Sequence, residues 1–196
     1  MKRQLRKELR ARRRALTPAD HTLRSNLAAS SITRLAQFKS GARVAVYLPF
    51  DRETNPAALL VAARRRGIRI FVPVITDLRH RRIRFFPLTG RTQRGTFGIS
   101  VPHRNGRPTP PRWLDLIVVP LVGVDPSGRR LGMGLGFYDR AFAFRRARNC
   151  WMGPRLVGLA FDCQRVDEAF ADVWDVRLDA LATESGVRHF PTEAPP

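Results

Sequence analysis

Gly132, Gly134 and Gly136 alternate through Arg129-Arg130-Leu131-Gly132-Met133-Gly134-Leu135-Gly136-Phe137-Tyr138-Asp139-Arg140, shortly after the apolar run Leu116 to Val119. Residues without a Cβ let a chain enter φ > 0 and bring its N–H groups close to a ligand. A helix beginning at Phe137 would add a dipole that favours an anion at its N-terminus. Arg129 and Arg130 set fixed positive charge beside the loop. The chemistry on offer is phosphate binding, although alternating glycines alone also describe an ordinary tight turn.

Other side chains admit a functional and a plain reading. Glu53 follows a strand pattern, where a carboxylate can accept from a substrate's N–H groups or simply be a solvated loop charge. Asp139 can serve magnesium, which prefers carboxylate and phosphate oxygens, or stand as a first-turn helix charge. Asp175, beside Trp174, and Asp179 are acidic points in a basic chain, with salt bridges to arginine as the default. Lys2 and Arg6 share a helix face at i, i+4 and either reach phosphates or face solvent. Tyr47, Phe97 and Tyr138 read as core or pocket-wall rings, or as a platform for a flat ligand. No Ser-His-Asp or Cys-His nucleophile pattern is present. Cys150 and Cys163 are far apart, and His21, His80, His103 and His189 are scattered, so neither a disulfide framework nor a zinc site is suggested.

These residues need elements to position them. Residues 2 to 16 are rich in helix formers with Leu5, Leu9 and Leu16 near helical spacing, and Thr17-Pro18 caps a second helix carried by Leu23, Leu27, Ile32 and Leu35 to about Phe38. Arg43 to Leu48 reads as a strand, Pro56 to Gly67 as a helix and Ile68 to Val74 as a strand, which makes a βαβ unit with its ligand edge near Leu48 and Glu53. Arg82 to Leu88 reads as an edge strand, 100 to 113 as a Pro-rich loop, Leu116 to Val119 as a buried strand, Phe137 to Arg148 as a helix and Arg155 to Phe161 as a strand. The expected fold is α/β, a three-layer α/β/α sandwich with a mostly parallel open sheet preceded by two N-terminal helices. Residues 1–190 are expected to form one domain, with 191–196 a frayed tail.

A chain of 196 residues with 43% hydrophobic content supports one substantial core. The longest apolar run is too short to span a bilayer, and the basic N-terminus has no apolar stretch behind it, so a soluble cytoplasmic protein without membrane attachment is expected. The formal charge of +20 makes nonspecific attraction to polyanions follow, and a nucleic-acid-associated role is the alternative to an enzyme. Only three of the 36 basic residues are lysine, a skew that a GC-rich coding background also produces. The arginines are spread over helices, strands and loops instead of forming one stripe with interleaved aromatics.

Taken together, the blocks resemble the 5-formyltetrahydrofolate cyclo-ligase, or methenyltetrahydrofolate synthetase, family along nearly the whole chain. They are Lys2-x-x-Leu5-Arg6, Tyr47-Leu48-Pro49 with Glu53, Phe97-Gly98-Ile99 with Pro102, Val119-Pro120 through Asp125 to Gly128-x-Arg130-Leu131-Gly132-x-Gly134-x-Gly136-Phe137-Tyr138-Asp139-Arg140, Gln164, Trp174-Asp175-Val176 and Thr183-Glu184. The resemblance implies conversion of 5-formyltetrahydrofolate, with or without a polyglutamate tail, to 5,10-methenyltetrahydrofolate, with ATP as co-substrate and Mg2+ as cofactor, releasing ADP and phosphate. It implies that Lys2, Arg3, Gln4, Leu5 and Arg6 contact ATP together with Arg130, Leu131, Gly132, Met133, Gly134, Leu135, Gly136, Phe137 and Tyr138. Arg130 and Tyr138 would be catalytic, Leu48, Glu53 and Phe97 would touch the folate, and Asp139 and Asp175 would serve the metal. A related ATP-dependent activator of another substrate is the neighbouring possibility. The sequence departs from the family's usual pattern at Leu135, where Gly or Lys is frequent, at Val124 (often Phe), at Pro56 (often Thr) and at Val101 (often Glu).

Overall fold

A computed structural model describes residues 1–89, 92–95, 100–102, 107–145 and 153–191. In chain order the elements are α1 (Lys2–Arg14), α2 (Pro18–Ile32), β1 (Arg43–Ala45), α3 (Ala57–Arg65), β2 (Arg69–Asp77), β3 (Arg82–Pro87), β4 (Thr92–Arg94), β5 (Ser100–Pro102), β6 (Leu116–Pro120), β7 (Gly123–Val124), β8 (Arg130–Leu131), α4 (Phe137–Ala141), β9 (Arg155–Leu159), β10 (Ala180–Thr183) and β11 (Gly186–His189). Seven strands make one sheet in the order β11-β10-β9-β6-β1-β2-β3. The five inner strands run parallel, and the edges β3 and β11 pair antiparallel with their neighbours. The expected mostly parallel α/β sheet behind two N-terminal helices is what the chain forms.

Side-chain alternation along the inner strands divides the core between the two faces. Val44, Leu116, Val118, Val157 and Ala182 pack against α2 and α3 through Ala28, Ile32, Leu59 and Ala63. Ala45, Ile117, Val119, Leu156 and Leu181 face the other way, onto Phe142, Tyr138 and Phe144 of α4 and the turn after it. α1 lies off the sheet, over the β7–β8 hairpin, where Leu9 meets Val122, Leu131 and Ala169.

Two helix ends and several strands differ from the sequence reading. α2 starts as expected, with the Asp20 N–H donating to Thr17 Oγ1 at 3.1 Å, but it stops at Ile32 instead of near Phe38. Its last turn holds Ser31 and Thr33, whose hydroxyls donate to the carbonyls of Ala28 and Ser30, the local bonding that makes these residues poor helix continuers. Leu35 and Phe38 still reach the core from successive turns, so the apolar spacing outlasts the helix. The helix expected from Phe137 to Arg148 is only five residues long, followed by a 3-10 turn over Ala143–Arg145. Phe142 leaves it at φ −109° and buries its ring on the sheet, while 146–148 lie outside the described residues. β10 and β11, and the short hairpins β4–β5 and β7–β8, were not expected at all.

Candidate functional site

β1 continues through α3 to β2 on one side, whereas β6, its other neighbour, leads on to β9 and β10. This is the point where strand order reverses, and in open α/β sheets a crevice forms there beyond the carboxyl ends of the strands. A cavity of about 600 Å³ occupies it. Tyr47, Leu48, Phe50 and Glu53 enter from the segment after β1, Pro120 and Leu121 from the end of β6, and Pro73, Ile75 and Ile83 from β2 and β3. The glycine loop from Arg130 to Asp139 makes a further wall, and Lys2, Arg6, Arg81, Asp172, Trp174 and Asp175 add to the lining.

The loop keeps its path through backbone conformations that side chains oppose. Gly134 has φ 90° and Gly136 φ 66°, in the left-handed region. A Cβ on Gly134 would stand 3.3 Å from Arg6 Nη2, so the bare backbone also admits the α1 arginine. Arg6 Nε donates to the Gly132 carbonyl at 2.8 Å, and Lys2 Nζ pairs with Asp172 Oδ2 at 2.6 Å. Of the two residues that i, i+4 spacing singled out, Arg6 therefore braces the loop, while Lys2 ties α1 to the segment carrying Asp172. Arg3 and Gln4 are exposed on α1, Leu5 packs beside Leu9, and none of the three lines the cavity. The dipole argument for anion binding at Phe137 does not survive, because α4 has barely more than one turn.

Arg130 is 6% exposed and fixed at both ends of its fork. Nη1 donates to the Val176 carbonyl at 2.5 Å and Nη2 to Asp139 Oδ1 at 2.7 Å, while the guanidinium lies 6.0 Å from the centre of the Tyr138 ring. Asp139 Oδ1 also accepts from the Val176 N–H at 3.1 Å. Asp139 is thus the group that aims Arg130. Burial raises the pKa of Tyr138 well above the usual phenol range, with Glu53 adding to the effect, so the ring enters the cavity wall as a neutral phenol.

Glu53 sits on a turn in which Asp51 (φ 47°) and Arg52 (φ 58°) are both left-handed. Its Oε2 accepts from the Phe50 N–H at 3.1 Å. Burial pushes the carboxyl pKa up, against the lowering effects of that N–H and of Arg13. Asp51 ties the turn to α1: Oδ2 accepts from Arg10 Nη2 at 2.6 Å, Oδ1 from Arg14 Nη2 at 2.5 Å, and its carbonyl from Arg13 Nη2 at 2.7 Å. Arg13 is 2% exposed, and burial lowers its pKa. Tyr47, whose hydroxyl donates to the Thr54 carbonyl at 2.5 Å, closes the turn from beneath.

Leu48, Glu53, Asp139 and Asp175 all border the cavity, as does every expected loop residue from Arg130 to Tyr138. Phe97 lies outside the described residues. Asp139 Oδ1 is taken by Arg130, and Asp175 Oδ2 by the Asp172 N–H at 2.9 Å, which leaves one oxygen on each carboxylate. Among the described residues no group of three His, Cys, Asp or Glu side chains could enclose a metal alone. Two carboxylates beside the glycine loop still fit the way magnesium is held, by one or two protein carboxylates completed by substrate phosphates and water. The departures are unequal in consequence: Leu135 is in the cavity wall, Val124 is buried in the core and Pro56 precedes α3. Sequence reasoning missed Asp51, Arg13, Arg81 and Asp172. For the first two a signal existed, since Arg10, Arg13 and Arg14 fall on one helix face at i, i+3, i+4 and require a counter-charge.

Comparison with known proteins agrees with this geometry. A family model described as the 5-formyltetrahydrofolate cyclo-ligase family matches residues 1–184. The 5-formyltetrahydrofolate cyclo-ligase of Escherichia coli K12 is 33% identical over 184 residues, 91% of this chain and 98% of that protein. That of Haemophilus influenzae is 33% identical over 183 residues, covering 89% and 93%. Among solved structures, the 5,10-methenyltetrahydrofolate synthetase of Aquifex aeolicus superposes with a TM-score of 0.82 at 28% identity, covering 98% of this chain and 94% of that one. The synthetase of Mycoplasma pneumoniae gives 0.71 at 25% identity, covering 93% and 98%.

Proposed function

The chain belongs to the 5-formyltetrahydrofolate cyclo-ligase family, and on that premise we propose that it uses ATP and Mg2+ to convert 5-formyltetrahydrofolate to 5,10-methenyltetrahydrofolate with release of ADP and phosphate. One observation carries the reading at residue level. A single cavity collects Lys2 and Arg6, the glycine loop with Arg130, and Glu53, three blocks far apart in the chain.

The chemistry asks for what these residues supply. A formamide oxygen is a poor leaving group, so it first attacks the γ-phosphorus, a P–O bond forms and ADP departs. The second folate nitrogen then attacks the activated formyl carbon, loses its proton and expels phosphate to leave the methenyl bridge. Such catalysis consists of positioning and charge stabilisation and needs no protein nucleophile, in keeping with a sequence that has none in evidence. Arg130, held in place by Asp139, offers its remaining N–H groups to a transferring phosphoryl without having to reorganise. Tyr138 adds a neutral phenol as a donor, and the open backbone at Gly134 and Gly136 allows close approach by the nucleotide. Glu53 accepts from the pterin's N–H groups, and the apolar wall of Phe50, Ile75 and Ile83 faces its ring. Asp139 and Asp175 would hold Mg2+ through their spare oxygens, where the ion supplies charge neutralisation for the phosphates. A polyglutamate tail would add negative charge that the basic surface attracts, and the cytoplasm is the proposed site of action.

The test is absorbance. Purified protein with 5-formyltetrahydrofolate, ATP and Mg2+ should develop the near-ultraviolet band of the methenyl product, and no band should grow when ATP is omitted. A folded protein that produces none would overturn the proposal.

A further inference from the structure

Among the described residues, Lys2, Arg6, Arg81 and Arg130 are the cationic side chains lining the cavity. Three of them have protein partners: Lys2 on Asp172, Arg6 on the Gly132 carbonyl, Arg130 on Asp139 and Val176. The Arg81 side chain has no hydrogen bond or ion pair among the described residues. It comes from the turn between β2 and β3 and reaches the glycine loop, where Nη1 would lie 3.8 Å from a Cβ on Gly136. Arg6 stands in the same relation to Gly134, so the loop is flanked by one guanidinium from α1 and another from the β2–β3 turn. Arg81 also holds φ 52°, a left-handed backbone that favours glycine or asparagine over a long side chain. Among the described residues, none uses this side chain.

A ligand that fills the cavity strips water from Arg81. A neutral group there would leave the charge without a partner, whereas an oxyanion would meet a planar fork of donors suited to two oxygens at once. We infer that Arg81 is an anion-binding residue of the site, taking an oxyanion carried by a bound substrate. The inference rests on the proposed cyclo-ligase reaction, whose two substrates each bring one: the polyphosphate of ATP and the glutamate carboxylates of the folate.

Steady-state kinetics of Arg81→Ala, Arg81→Lys and Arg81→Gly, against ATP, 5-formyltetrahydrofolate and the carboxamide of 5-formyltetrahydropteroate, which lacks the glutamate and carries no carboxylate, tests this. Arg81→Ala should raise the KM for one anionic substrate by about tenfold or more, and Arg81→Lys should recover part of the loss. A rise for ATP assigns the phosphate. A rise for 5-formyltetrahydrofolate, with the pteroate analogue unaffected, assigns the carboxylate. Changes below about twofold for both substrates overturn the inference, as does an equal loss for folate and the pteroate analogue with ATP unchanged. Arg81→Gly relieves the left-handed backbone and should melt no lower than the parent while losing the same affinity; a lower melting temperature would mark a structural role instead. Should the parent protein show no ATP-dependent turnover, the activity reading fails separately. Arg81 is then judged by calorimetric binding of tripolyphosphate and of 5-formyltetrahydrofolate, where equal affinities in parent and Arg81→Ala count against it.

Discussion

Arg130 and Asp139 form one unit, and its removal has two consequences. Arg130→Ala leaves the Val176 carbonyl without its donor and Asp139 with the Val176 N–H alone, and it takes the fixed cation out of the cavity. Turnover should fall by roughly a hundredfold or more, and the unfolding free energy by about 2–4 kcal/mol, read from kcat/KM and urea denaturation. Arg130→Lys should recover little activity, because a single ammonium cannot span both partners. At Glu53 the argument concerns protons. Burial raises this carboxyl's pKa, so its accepting form disappears at a higher pH than for an exposed glutamate. As pH falls through that raised value, kcat/KM for 5-formyltetrahydrofolate should drop, and Glu53→Gln should both raise the folate KM and abolish this acid limb. Lys2, Arg6, Arg130 and Glu53 were legible in the sequence because they stand in spaced motifs. Arg81 and Asp172 were not, since their value comes from where a turn and a C-terminal segment land beside a loop distant in the chain.

At the scale of elements, α1 and the turn carrying Glu53 are joined through Asp51. Burial alone would raise the Asp51 pKa, but hydrogen bonds from Arg14 and Arg10 outweigh it and hold the carboxyl below its ordinary value. Stability from this junction is therefore present above the unfolded carboxylate's range and is lost as pH falls below about 4 and through the depressed folded value. Asp51→Asn should lower the unfolding free energy by about 1–3 kcal/mol at neutral pH, and its melting temperature should fall less steeply with acid than the parent's. The βαβ unit and the β3 edge were readable because alternation and turn residues bracket them. β10 was not. Ala180-Leu181-Ala182-Thr183 is buried on both faces, which erases alternation, and its alanines and leucine are good helix formers. The end of α2 was misplaced for the reverse reason, as apolar spacing continued through turns that are not helical.

For the molecule as a whole, a formal charge of +20 and a specific anion site make separable demands. Binding to random-sequence duplex DNA should weaken steeply between about 50 and 200 mM salt, and Arg130→Ala, which removes turnover, should leave that binding unchanged because many arginines share it. A fluorescence titration at several salt concentrations distinguishes this shared field from a dedicated interface. The helix that roofs the cavity also has a history. α1 precedes all its partners: Asp51 lies 41 positions beyond Arg10, Gly132 lies 126 beyond Arg6 and Asp172 lies 170 beyond Lys2. Contacts so distant in sequence form late, after the intervening loops have closed. While the sheet assembles, α1 must wait as a solvated basic segment, and the pocket closes only once the segments around Gly132 and Asp172 have been made and have folded back onto it.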